Sequence, residues 1–241
     1  MMLITVAGCQ KNAVPPQRES SPIVTPTPTP SLPSPEDKKK AANLRQKGLE
    51  YRQQGNFSQA IKSLEESVTF DSQNLSGLVL LGWTYHLAKQ PKPAIETLDD
   101  ALKIDENHVP ALNALGIVYL VNNNLDRAVA THNQAISLKS DNEIAHYNLS
   151  LAYHLLTQYS LAQTHAEKAI SLEPNNPHPL VALAIIYWDQ GNIEIAKEKY
   201  QKAIFLDSRY RQIEFLTHLQ DAGFNQEQIE KTKQILRSVK S

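Results

Sequence analysis

From Leu75 onward, apolar residues recur at offsets of three and four with polar residues between them, which is the periodicity of amphipathic helices. Around Leu112, Leu115, Gly116 and Tyr119 the offsets i, i+3, i+4, i+7 define one helical face. Asn123 and Asn124 follow, where a helix can end in the left-handed region, and Ala128, His132, Ala135 and Ile136 mark a second helix. The pattern then repeats. Tyr51, Tyr85, Tyr119, Tyr153 and Tyr187 are 34 apart, as are Ala60, Ala94, Ala128, Ala162 and Ala196. A third register, Lys47, Leu81, Leu115, Leu149 and Leu183, is apolar in four of five places, and a fourth, Ser67, Ala101, Ala135, Ala169 and Ala203, is small throughout. Gly55 and Gly191 occupy the turn between the two helices in the first and last units, where a positive φ costs glycine little.

These residues resemble the tetratricopeptide repeat (TPR): Leu or an aromatic, then Leu-Gly, Tyr, Ala, a large apolar residue, Ala and a late Pro. Five units fit without insertion, at 41–74, 75–108, 109–142, 143–176 and 177–210. Departures are Lys47 for Leu, Ser150 and Ala184 for Gly, His146 for the early large residue, and a late proline kept only at Pro174. The resemblance implies an all-α fold, a superhelical solenoid of five helix-turn-helix repeats. A capping helix pair is expected over 211–241. Its first helix runs from Arg211 to Gln220, carrying Ile213, Phe215, Leu216 and Leu219; Gly223 stops it, and Asn225 with Gln228 has capping-box spacing for the last helix, with a Phe224–Ile229 staple. With its Gln, Glu and Lys face that helix should shield the exposed apolar side of the last repeat.

Proline placement sets the other boundary. Eight of the 14 prolines lie at or before Pro35, so residues 10–34 read as a disordered Pro/Thr/Ser-rich tether. Ser34, Pro35 and Asp37 then combine an N-cap hydroxyl, a proline at the first helical position and an acid in the first turn, and residues 35–210 form the repeat domain. Pro91, Pro93, Pro110, Pro174, Pro177 and Pro179 mark helix boundaries. The formal net charge of -1 offers no basic face for phosphates, so no nucleic-acid partner is expected. No apolar stretch approaches the roughly 20 residues that span a bilayer.

Residues 1–9 end in Val6-Ala7-Gly8-Cys9, which resembles a bacterial lipobox, and this implies lipidation at Cys9 and a place on the bacterial cell envelope. Only eight residues precede Cys9, none of them Lys or Arg, so the start at Met1 is expected to omit upstream codons. A cytoplasmic adaptor is the alternative.

No catalytic constellation, cofactor motif or metal-ligand spacing is present, and neither a cofactor nor a small-molecule substrate is expected. His132 and His146 fall on core positions, and no titratable groups are expected to pair in the groove. What remains is a second apolar stripe on the first helix of each unit: Val79, Trp83 and His86; Asn113, Ile117 and Leu120; Tyr147, Leu151 and His154; Val181, Ile185 and Trp188. A helix apolar on two faces has two things to bury against. In the resembled family these positions line a concave groove that binds a protein or peptide partner, although the chain's own terminal helix is a competing occupant. Members that clamp a terminal carboxylate use Lys and Asn across the first repeats; here only Arg45 is near such a place, Leu49 and Leu80 stand at others, and that mode is not expected.

Overall fold

The computed structural model describes residues 32–240. Ten helices alternate along the chain in pairs: α1 Pro35–Gln53 and α2 Phe57–Phe70; α3 Leu75–Leu87 and α4 Pro91–Ile104; α5 Val109–Val121 and α6 Leu125–Leu138; α7 Glu143–Leu155 and α8 Tyr159–Leu172; α9 Pro177–Asp189 and α10 Ile193–Leu206. Two 3₁₀ turns, Ser208–Arg211 and Phe215–Gln220, lead to α11, Gln226–Lys240. No strand occurs among the described residues. Ser34 caps α1 as expected: its Oγ accepts from the Asp37 amide at 3.1 Å, and Asp37 Oδ2 accepts from the Ser34 amide at 3.1 Å. Residues 1–9, including Cys9, and nearly all of the 10–34 tether lie outside the described residues.

Each helix packs on its sequence neighbours, and α3, α5, α7 and α9 also touch one another in turn. The odd helices therefore crowd along the inner, concave side, with the even helices outside them. Small residues set the spacing inside a pair. A Cβ built on Gly82 would lie 2.7 Å from Leu98 Cγ, and one on Gly116 only 2.5 Å from His132 Nε2. Where Ser150 stands at this position, the facing register of Leu64, Leu98 and His132 shrinks to Ala166.

The turn inside each pair uses one conformation five times. Gly55, Lys89, Asn123, Thr157 and Gly191, each 34 apart, all have positive φ, at 73°, 59°, 58°, 58° and 79°. Between pairs, Asn74 and Asn142 cap the next helix by accepting from the amides of Gly77 at 2.9 Å and Ala145 at 3.3 Å, and Asn176 does the same for His178 at 3.0 Å.

The carboxyl-terminal end departs from expectation. Arg211 to Gln220 is not an α-helix but part of the two 3₁₀ turns, with extended backbone at Gln212 (φ -100°, ψ 120°). Tyr210, Ile213, Leu216 and Leu219 are spaced by three, which aligns side chains on a 3₁₀ spiral, and Tyr210, Leu216 and Leu219 are fully buried. Tyr210 also occupies the position that Asn74, Asn142 and Asn176 use as caps, and a 3₁₀ turn rather than a sixth pair surrounds it. The α11 capping box forms: the Asn225 amide donates to Gln228 Oε1 at 3.0 Å and the Gln228 amide to Asn225 Oδ1 at 2.9 Å.

Candidate functional site

The concave side divides into a covered and an open half. After its 3₁₀ turns the chain crosses the inner faces of α7 and α9 instead of only stacking on the end of the array. Tyr147 Oη, on α7, donates to the Ala222 carbonyl at 2.6 Å. Gly223, with φ of 88°, follows so closely that an added Cβ would sit 3.5 Å from Leu151 Cδ1 and 3.9 Å from Leu120 Cδ2. Leu120, Leu151, Val181 and Ile185 are consequently buried, in one apolar cluster with Leu216, Leu219 and Phe224.

A polar strut ties α11 across the same half. Gln228 Nε2 donates to His154 Nδ1 at 3.0 Å, which leaves the ring hydrogen on Nε2, and Nε2 donates to Asp189 Oδ2 at 2.8 Å. Lys231 Nζ reaches the same oxygen at 2.6 Å. Burial alone would raise the Asp189 carboxyl, but the hydrogen bonds from His154 and Lys231 hold it below its ordinary range. Titratable groups are therefore paired in the groove, contrary to the expectation from sequence. Gln228 and Thr232 are buried, so the polar face of α11 is only in part a solvent face. The signal was available: Gln228, Thr232 and Ile235 lie on one helical face at i, i+4, i+7.

The open half lies over α3, α5 and the start of α7. Val79, Trp83, His86, Asn113 and Ile117 are all partly exposed, as is Trp188 at the far end. Trp83 and His86 rings lie 4.8 Å apart, and burial, then the Lys89 charge, pushes the His86 imidazole below its usual value. Asn113 and Asn142 exchange amide hydrogen bonds of 3.2 and 2.9 Å, so the Asn113 side chain is committed to the groove floor. A cavity of about 1010 Å³ opens here, lined by Trp83, Ile117, Val121, Tyr147 and Phe224 together with the polar Glu143, Asn176 and Lys89. Apolar walls with a few polar groups, at this volume, suit several side chains of a ligand. Among the described residues no group of three or more His, Cys, Asp or Glu is placed to hold a metal, and no helix is long and apolar enough to cross a membrane.

Models of the tetratricopeptide repeat match residues 51–116, 144–176 and 178–210, together more than half of the chain. The chain belongs to the tetratricopeptide-repeat family. No curated protein sequence matches this repeat protein significantly. Solved structures share its fold. PilF of Pseudomonas aeruginosa is 19% identical with a TM-score of 0.66, over 83% of this chain and 90% of that one. MamA from Desulfovibrio magneticus RS-1 is 21% identical with a TM-score of 0.63, over 70% and 96%. A thermophilic TPR protein of Thermus thermophilus, TTC0263, is 20% identical with a TM-score of 0.61, over 76% and 98%.

Proposed function

We propose that this repeat protein is a non-enzymatic adaptor that holds a protein or peptide partner in the open half of its groove, and that a lipid on Cys9 carries it on the envelope of a bacterial cell, where it assists assembly or regulation of an envelope complex. Tetratricopeptide-repeat proteins are scaffolds for protein–protein interaction. One observation supports a partner in the open half of the groove. Trp83, Ile117 and Val121 stay accessible around a cavity of about 1010 Å³, while Leu120, Leu151, Val181 and Ile185 of the apolar stripe are buried in a cluster with the carboxyl-terminal segment. Accessible aromatic and aliphatic groups lining a concavity are the usual anchors of an interface. The His154–Asp189 pair does not argue for catalysis, because Gln228 holds the other ring nitrogen and Lys231 shares the Asp189 oxygen that His154 uses.

The test is a pull-down from membranes with the intact protein and with Trp83→Asp and Ile117→Asp. Capture should weaken by about 2 kcal/mol at a true hot spot while helix content stays unchanged. Leu151 is unsuitable as a probe, because it lies beneath Gly223 and its replacement would disturb the cap. Unfolding of the Trp83 variant would make that residue core, and survival of both folding and capture would move the partner to the convex side. For the anchor, Cys9→Ser should release the protein from membranes, and detergent partition of the wild type with a blocked amino terminus should accompany it. An unmodified protein in the aqueous phase would favour the cytoplasmic adaptor.

A further inference from the structure

The carboxyl-terminal segment is an occupant of the groove that the structure displays, and its contacts show what the groove accepts. Apolar side chains of Leu216, Leu219 and Phe224 share a cluster with the apolar stripe. A backbone carbonyl, that of Ala222, meets the Tyr147 hydroxyl. The acid of this half, Asp189, receives the ammonium of Lys231 at 2.6 Å. Apolar, hydroxyl and carboxylate groups are each matched in kind.

The open half offers the same chemistry with one group unmatched. Glu143, the first residue of α7, is half-buried and lines the cavity together with Trp83, Ile117 and Tyr147. Among the described residues its carboxylate receives one hydrogen bond, a long one from Asn176 Nδ2 at 3.4 Å, and the same amide nitrogen lies 3.4 Å from a Glu173 oxygen. Among the described residues the charge acting on Glu143 is that of Glu173, of the same sign; with burial, the larger effect, it raises the Glu143 carboxyl above its ordinary range. Asp221, in the turn that forms the far wall, adds negative charge to the lining, whereas Lys89 follows the carboxyl end of α3, at the edge of the groove away from the α7 amino terminus. A carboxylate that is partly desolvated and repelled by its neighbour gains most from an incoming cation, since much of its dehydration has occurred before the partner arrives.

We infer that the open groove takes an apolar segment of another protein that carries a lysine or arginine positioned to pair with Glu143, as Lys231 pairs with Asp189 in the covered half. This rests on the reading of the open groove as a partner site.

The experiment uses the whole protein and short synthetic amphipathic peptides with one shared apolar face of Leu and Phe, differing only in whether the flanking positions carry Lys or Glu. Binding is followed by the fluorescence of Trp83, with Trp83→Phe as the control for signal origin and Trp83→Asp as the groove-blocked form. The lysine peptide should bind about tenfold or more tightly than the glutamate peptide at low salt. Glu143→Gln should remove most of that preference and Glu143→Lys should reverse it, while Glu66→Lys, the same charge change on the exposed side of α2, should leave it intact. Equal binding of both peptides, abolished by Trp83→Asp, would overturn the cation assignment and leave the groove reading standing. An equal effect of Glu66→Lys and Glu143→Lys would reduce the preference to net charge and overturn it too. Failure of both peptides to bind, or binding indifferent to Trp83→Asp, would bring down the groove reading and this inference with it.

Discussion

The His132 ring lies against the backbone of Gly116, so close that a Cβ there would come within 2.5 Å of Nε2, and neither ring nitrogen has a hydrogen-bond partner among the described residues. Leu64 and Leu98 fill the same register two and one repeats earlier. His132→Leu should therefore raise stability by about 1–3 kcal/mol, the cost of an orphaned buried polar group, and urea denaturation would read it as a higher midpoint with unchanged slope. A lower midpoint would mean that the ring has a partner, such as a trapped water.

Acid should destabilise the fold, and largely through histidines. Burial pushes His132 down to about 3, burial and His146 push His165 down to about 4, and burial and His218 push His178 down to about 4. A depressed imidazole means that the unfolded chain takes up the proton first, near its ordinary value of about 6.5, while the folded chain resists. The stability is thus complete above that value and is lost as pH falls toward 4 and below. The raised Glu143 carboxyl opposes this in its own, lower window. For fully buried His132 the slope approaches about 1.4 kcal/mol per pH unit. Thermal melts between neutral and mildly acidic pH should show the decline, and His132→Leu should make it shallower.

Thr157 holds φ of 58° in the turn between α7 and α8, where the first and last repeats place Gly55 and Gly191. A β-branched side chain is strained in that region. Thr157→Gly should stabilise by about 1 kcal/mol and Gly191→Ala should destabilise by a similar amount. Equal midpoints for Thr157→Gly and wild type would show that the loss of Thr157 Oγ1 donation to Leu156 O offsets the relief.

Tyr147→Phe removes the donor to Ala222 and leaves a carbonyl without its partner in a half-buried turn. The expected loss is about 1–2 kcal/mol. Hydrogen exchange should quicken at residues 219–232 while protection in α3 to α6 is retained. Uniform loss of protection would show that the segment and the repeats unfold as one unit.

The repeat array was readable because each helix pair satisfies its own requirements locally: the Tyr and Ala registers recur in every unit, and the Ser34 and Asn225 capping boxes act within a few residues. The path of the carboxyl-terminal segment was not. Tyr210, Ile213, Leu216 and Leu219 are too few to separate a period of 3.0 from 3.6, and the contact that seats the segment joins Tyr147 to a backbone carbonyl 75 residues away, which no side-chain pattern records. The apolar excess on α7 and α9 was visible as well. Such an excess reports that something covers a surface, and it reads the same for a partner as for the chain's own end.

The seating of residues 216–232 on α7 and α9 also limits how this array can change length. Tandem repeats ordinarily gain or lose whole units by duplication, because each touches only its neighbours. Here Ala222 is keyed to Tyr147 and Lys231 to Asp189, so a unit inserted or deleted between α9 and α11 would pull both fastenings out of register, and one between α7 and α9 would break the first. Units added before α7 would leave them untouched. The modular part of the molecule is its amino-terminal side, and the last two repeats with their covering segment must be inherited together.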